Sequence, residues 1–205
     1  MLGVIVFEPF YENYGPDSII SGAVPRYVTL REPDWTFDPD ELAAVFNERT
    51  RAIIINSPNN PTGKVFTPDE LGIIAALCQQ WDVLAVTDEI YEHFIFDSGE
   101  HISVASLPDM WERTITISGL SKTFSITGWR IGYAICDEKW SKAIGNFSDL
   151  VYVCAPTPLQ LGAAAGIAEL DDAFFDNLAY KYRRKREMLC NGLSGAGLTP
   201  CFPQC

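Results

Sequence analysis

Three short apolar runs, each closing on a loop of polar residues, constrain this chain more than any other feature. Arg51-Ala52-Ile53-Ile54-Ile55-Asn56 opens into Ser57-Pro58-Asn59-Asn60-Pro61-Thr62-Gly63. Val83–Thr87 opens into Asp88-Glu89-Ile90-Tyr91, and Arg113–Ile117 into Ser118-Gly119-Leu120-Ser121-Lys122. Apolar runs this short and rich in β-branched residues predict strands buried on both faces, as in a parallel sheet covered by helices. Between the first two runs, Thr67-Pro68-Asp69-Glu70 has the grammar of a capping box. It leads a helical stripe of Leu71, Ile74, Ala75, Cys78 and Trp81. The pattern predicts an α/β sheet that carries its ligand along the carboxyl edge of the strands. On that edge lie Asn60, then Asp88 and Tyr91, then Lys122.

The flanks agree with this. Gly3–Glu8, closed by Pro9, reads as a short buried strand, and Phe10–Pro16 as an aromatic-rich turn into a short helix. Val24–Leu30 reads as another strand. Asp38-Pro39-Asp40-Glu41 and Thr157-Pro158-Leu159-Gln160 each predict a helix opened by a capping box. A further helix is expected over residues 137–147. From Asp171 to about Leu193 runs a long amphipathic helix whose packing side is Phe174, Phe175, Leu178, Tyr182, Met188 and Leu189. Its Lys181, Arg183, Arg184, Lys185 and Arg186 read as a solvated face.

Composition excludes several partners. A net charge of −12 disfavours nucleic acid and anionic membrane surfaces. Of the six cysteines, none forms a CxxC or a metal-like spacing with His93 or His101, so no metal is expected. Cys78 and Cys136 read as small core residues, and the chain as reduced and cytoplasmic. No basic-plus-apolar leader follows Met1, and no run is long enough to span a membrane. Glu89 and Glu92 read as solvent or structural carboxylates, and His93 as a partly buried structural histidine.

Lys122 lies in a loop of small and hydroxyl residues, Ser118-Gly119-Leu120-Ser121-Lys122-Thr123-Phe124-Ser125-Ile126-Thr127-Gly128-Trp129-Arg130. Alone it reads as a solvated loop lysine or half of a Ser-Lys hydrolase dyad. An amine packed among small residues also suits Schiff-base chemistry, and the hydroxyls and Arg130 suit a phosphate. With Gly128-Trp129-Arg130-Ile131-Gly132, the stretch resembles the signature of the class I/II aminotransferases, fold-type I enzymes that use pyridoxal 5′-phosphate (PLP). Asn60-Pro61-Thr62-Gly63 and Asp88-Glu89-Ile90-Tyr91 match two further motifs of that family. The resemblance covers nearly the whole chain.

The resemblance implies a three-layer α/β sandwich with a mostly parallel sheet, the large domain of the aspartate aminotransferase-like fold. Tyr133–Cys136 is expected to supply its one antiparallel strand. It divides the chain into a cofactor-binding large domain over residues 1–185 and the start of a small domain over 186–205. It makes Lys122 the Schiff-base lysine and the proton shuttle. Asp88 becomes the partner of the pyridine nitrogen, Asn60 and Tyr91 donors to the cofactor's 3′-oxygen, and Asn60 also a substrate-carboxylate contact. Tyr11 becomes the ring-stacking aromatic, and Arg130 with Ser118 or Ser121 the phosphate contacts. From the residues alone, Tyr11 is equally a core tyrosine, Asp88 a helix N-cap and Tyr91 a packed aromatic. The other lysines, Lys64, Lys139, Lys142, Lys181 and Lys185, are placed in turns or on polar helix faces.

The implied activity is transfer of an amino group between an amino acid and a 2-oxo acid, in a protein that is a homodimer at full length. A PLP-dependent C–S lyase or synthase, and a silent scaffold of the same fold, remain alternatives. The sequence departs from the pattern at Gly119, where many relatives carry a hydroxyl. Relatives extend beyond both ends, with a phosphate-cradling helix start in front and a substrate-carboxylate arginine behind. These 205 residues alone are therefore expected not to transaminate.

Overall fold

A computed structural model describes residues 1–97 and 99–205. Six strands form one sheet: β1 Gly3–Glu8, β2 Val24–Thr29, β3 Thr50–Asn56, β4 Leu84–Asp88, β5 Thr114–Gly119 and β6 Gly132–Cys136. Their order is β2-β1-β3-β4-β5-β6. β1 to β5 are parallel, and β6 alone runs antiparallel, against β5. The mostly parallel α/β sheet expected from the runs is the one observed, with Tyr133–Cys136 inside its antiparallel strand.

The first crossover, through α1 Tyr14–Ile20, carries the chain from β1 outward to β2. The next two, through α2 Pro39–Val45 and α3 Pro68–Trp81, run the opposite way to β3 and β4. Because parallel crossovers are right-handed, this reversal puts α1 on one face and α2 and α3 on the other. It also opens a crevice at the carboxyl ends of β1 and β3, the place where α/β sheets hold ligands.

The core is the face under α2 and α3. Ile5, Phe7, Val28, Ile53, Ile55 and Ala85 from the sheet meet Leu42, Leu71, Ile74 and Cys78 from the helices. The buried residues of α3 are Leu71, Ile74, Ala75 and Cys78, the stripe read from the sequence without its outermost member Trp81. The Thr67 capping box forms in both directions: Glu70 N–H donates to Thr67 Oγ1 at 3.2 Å, and Thr67 N–H to Glu70 Oε2 at 2.9 Å. The other two boxes form differently. Asp38 accepts from Asp40 N–H and Glu41 N–H, but the Glu41 carboxylate turns to Arg31 at 2.6 Å instead of back to the cap. In α6, Thr157–Glu169, Pro156 occupies the N-cap and Thr157 is already helical, so its hydroxyl caps nothing.

The chain beyond β6 continues as α5 Glu138–Val151, α6, and α7 Asp172–Gly195, which runs unbroken through residue 185. α7 is capped by Asp171, which accepts from Phe174 N–H at 3.3 Å. Met188 and Leu189, expected on its packing side, are exposed, and Cys190 is buried in their place. Cys78 is a core residue, whereas Cys136 is only half-buried on edge strand β6. Among the described residues, no helix is long and apolar enough to cross a membrane.

Candidate active site

The strand register sets the site. Asn56, Asp88 and Ile117 lie side by side across β3, β4 and β5, so the loops that follow them converge. Asn56, 4% exposed, ties two of them together. Its Nδ2 donates to the Asp88 carbonyl at 2.9 Å, and its Oδ1 accepts from Asn60 N–H at 2.7 Å. Asn59 braces the same loop from inside: its Oδ1 accepts from Thr62 Oγ1 at 2.8 Å, and its backbone pairs with Gly63 and Lys64. The Ser57–Pro58 and Asn60–Pro61 peptides are cis. So fixed, Asn60 Nδ2 reaches the Tyr91 hydroxyl at 3.5 Å. Burial pushes the Tyr91 phenol up, with the Asn60 hydrogen bond pulling the other way.

The Asp88 carboxylate is held from two sides. Oδ1 accepts from Ile90 N–H at 3.2 Å, and Oδ2 accepts from the Tyr14 hydroxyl at 2.7 Å, 74 residues away in sequence. No helix follows Asp88, so its backbone contact closes a turn and is not an N-cap. Tyr11 is exposed and meets Tyr14 edge-on at 5.8 Å.

Lys122 sits on the short helix α4, Leu120–Thr123, at the tip of β5. Among the described residues it makes no ion pair. It lines a cavity of about 800 Å³ together with Asn60, Tyr91 and Ser121. Ser118 is buried at 5% and donates to Glu92 Oε1 at 3.0 Å, so its hydroxyl is engaged beneath the site while Ser121 faces the cavity. Arg130 is exposed and donates to the Thr127 carbonyl at 2.8 Å. Ser125 and Arg130 have φ of 56° and 58°. Such left-handed backbone costs about 1–3 kcal/mol at a non-glycine residue and gathers where a loop is shaped around a ligand. The structure thus brings Asn60, Tyr91, Ser121 and Lys122 to one cavity, sets Asp88 beside them through the sheet, and leaves Tyr11, Ser118 and Arg130 off its wall.

Packing decides several expectations. Of its two readings, Glu89 is the structural carboxylate. It is 4% exposed and accepts from Thr87, Ser103 and His101 at 2.8 to 2.9 Å, a hydrogen-bonded cluster on the residue that follows Asp88. His93 is half-buried against Phe175, ring centroids 4.4 Å apart, and burial holds its imidazole below the usual range. Lys64 is not a turn lysine in solvent. At 2% exposure it pairs with Glu70 at 2.8 Å, fastening the Asn60 loop to α3. Nor is the basic face of α7 wholly solvated. Arg186 grips both Asp97 oxygens at 2.8 and 3.0 Å and donates to the Pro203 carbonyl at 2.9 Å. Its guanidinium, through hydrogen bonds first and charge second, holds the Asp97 carboxyl below its ordinary range.

That clasp brings the end of the chain to the cavity. Gln204 N–H and Cys205 N–H donate to the Gly63 carbonyl at 2.9 and 3.1 Å, and Gln204 Oε1 accepts from Val65 N–H at 2.7 Å. Gly63 has φ of +70°, and a Cβ there would meet Pro203 Cβ at 2.3 Å, so both the turn and the close approach require glycine. Sequence reasoning missed Tyr14, Asn56 and this tail. Of the three, only Tyr14 carried a signal, a second tyrosine one helical turn after Tyr11.

The aminotransferase class I and II family model matches residues 2–204. Kynurenine–oxoglutarate transaminase 3 of Rattus norvegicus is 41% identical over 98% of this chain and 48% of its own length. Kynurenine–oxoglutarate transaminase 1 of Homo sapiens is 37% identical over 98% of this chain and 52% of its own. Among solved structures, aspartate aminotransferase of Thermus thermophilus with maleate superposes with a TM-score of 0.93 at 34% identity. It is matched over 99% of this chain and 53% of that one. N-succinyldiaminopimelate aminotransferase of Mycobacterium tuberculosis gives 0.92 at 36% identity, over 96% and 51%. The chain spans about half the length of the curated relatives it matches. A parallel sheet with one reversed edge strand, a free lysine amine beside Asn60 and Tyr91, and a family match over nearly every residue lead to one conclusion: this chain belongs to the class I and II aminotransferases.

Proposed function

We propose that this protein moves an amino group between an amino acid and a 2-oxo acid, using Lys122 and the cofactor of its family, pyridoxal 5′-phosphate. The observation that carries the reading is the unpaired Lys122 amine on one cavity wall with Asn60 and Tyr91, next to a carboxylate whose two oxygens are fixed. The donor set suits the cofactor: an amine for its aldehyde, Asp88 for its ring nitrogen, Asn60 and Tyr91 for its ring oxygen, and Ser121 for its phosphate, with Arg130, off the cavity wall, as the cation the phosphate would have to draw in. Ser118 supports the loop through Glu92, and Tyr11 is the aromatic offered to the ring. The cavity of about 800 Å³ leaves room for an amino acid beside the cofactor.

When bound, this cofactor supplies an electrophilic carbon and a conjugated ring that takes up electron density. The chain's own residues position and bias that chemistry. Lys122 holds the cofactor, then acts as the base that takes the proton from the substrate α-carbon. Asp88 keeps the proton on the ring nitrogen, and its fixed orientation lets it do so without reorganising as charge develops. Asn60 and Tyr91 donate to the ring oxygen, and Asn60 also meets the substrate carboxylate. Residues 1–185 form the cofactor-binding part and 186–205 begin the second domain. At full length the protein is a cytoplasmic homodimer acting in amino acid metabolism.

The relatives named for kynurenine and oxoglutarate make that pair the first donor and acceptor to try. Borohydride reduction of the PLP-loaded full-length protein, then peptide mapping, should place the label on Lys122; a label on any other lysine refutes the assignment. A donor screen then separates transfer from elimination, since only transfer leaves the amino group on the acceptor.

A further inference from the structure

Tyr14 is assigned no role by the motifs, yet its hydroxyl reaches Asp88 Oδ2 at 2.7 Å across 74 residues of sequence. Its position is set by packing. The neighbouring Gly15 is buried, and a Cβ there would lie 3.1 Å from both the Phe10 ring and the Tyr27 hydroxyl. Those two rings are themselves stacked, with centroids 5.5 Å apart and 2° between planes. The start of α1 is therefore seated against a rigid aromatic pair, and the first residue of that helix, Tyr14, is delivered to the end of β4. Burial first and the Asp88 charge second push its phenol well above the usual range, so it stays protonated and donates to the carboxylate. The other titratable groups facing it are Tyr11 and Tyr91.

We infer that Tyr14 is a positioning residue for Asp88, fixing the carboxylate's rotation so that it meets the cofactor's ring nitrogen. Among the described residues, only Ile90 N–H otherwise holds the carboxylate, at 3.2 Å, and a single contact on one oxygen leaves it free to turn about its last bond. The second contact removes that freedom, and a hydrogen bond to a charged acceptor is strong enough to do so. The inference rests on the PLP reading above, and the test separates the two.

The measurement is the pH midpoint of the visible absorbance of PLP bound to the full chain. A protonated ring nitrogen withdraws electron density from the lysine-linked chromophore and lowers that midpoint, so losing the proton raises it. Asp88→Asn should raise it most. Tyr14→Phe, which removes one hydroxyl and keeps the ring packing, should retain PLP and raise the midpoint by about half a pH unit or more. In the Asp88→Asn background, Tyr14→Phe should add nothing, because it acts only through the carboxylate. An unchanged or lowered midpoint in Tyr14→Phe, or an equal extra shift in the double variant, overturns the inference while the PLP reading stands. Absence of a lysine-dependent absorbance in the wild-type chain, judged against Lys122→Ala, overturns both.

Discussion

Asp88 shows how much of a side chain's chemistry is settled by the groups that hold it. Its carbonyl is taken by Asn56, one carboxylate oxygen by Ile90 N–H and the other by Tyr14, so neither its backbone nor its head group can drift. Preorganisation of this kind matters as charge develops, when a dipole already in place costs no reorganisation. Asp88→Asn in the PLP-loaded full-length protein should therefore keep the cofactor and lose on the order of 10²-fold or more in amino-transfer rate. Steady-state rates with cofactor occupancy measured in parallel check this; a near-normal rate at full occupancy refutes the role. Lys122 is the opposite case, an amine kept free of ion pairs among the described residues and so available for covalent chemistry.

At the scale of elements, the Asn60 loop is anchored less by itself than by the helix it leads to. Glu70 of α3 accepts from Thr67 N–H and also pairs with buried Lys64, so one carboxylate caps the helix and fastens the loop. Removing it strands a cation that is 2% exposed, whereas removing only the cap hydroxyl costs one hydrogen bond. Glu70→Gln should destabilise by about 3–5 kcal/mol, and Thr67→Ala by about 1 kcal/mol. Adding Lys64→Met to Glu70→Gln should recover much of the loss, since no buried charge is left unpaired. Urea midpoints at constant slope measure all three. A Glu70→Gln loss no larger than that of Thr67→Ala would show that Lys64 does not depend on its partner.

Across the whole molecule, α7 and the tail are bound to the sheet by a few specific ties at the cavity end. The Arg186 fork on Asp97 and its bond to Pro203 hold the tail, and the tail's backbone and Gln204 side chain hold Gly63 and Val65. Cys205 is thereby drawn into cover, and burial pushes its thiol up to about 12, as it does for Cys78 in the core. Cys154 and Cys201 are exposed. At pH 8 the native protein should alkylate quickly at Cys154 and Cys201 and only slowly at buried Cys78 and half-buried Cys205, because the reactive thiolate is a trace species at both. Mass spectrometry of a short iodoacetamide pulse reads this directly. Rapid labelling of Cys205 would show that the tail is not docked on Gly63.

The antiparallel edge strand and the roles of the site residues came from the family resemblance; by itself the sequence determined the parallel strands, the α3 stripe and the strand-end positions of Asn60, Asp88, Tyr91 and Lys122. These follow from local rules: β-branched runs, helical periodicity, caps and loop motifs act over a few residues and leave their mark there. Only the tertiary structure decided which groups serve them. Tyr14 meets Asp88 across 74 residues, Gln204 meets Val65 across 139, and Arg186 meets Asp97 across 89. No periodicity links such partners, because their meeting depends on strand order and crossover direction. The same reason turned Lys64 and Arg186 from surface charges into buried or clasped ones: a charge's sequence neighbours do not reveal what the sheet folds over it.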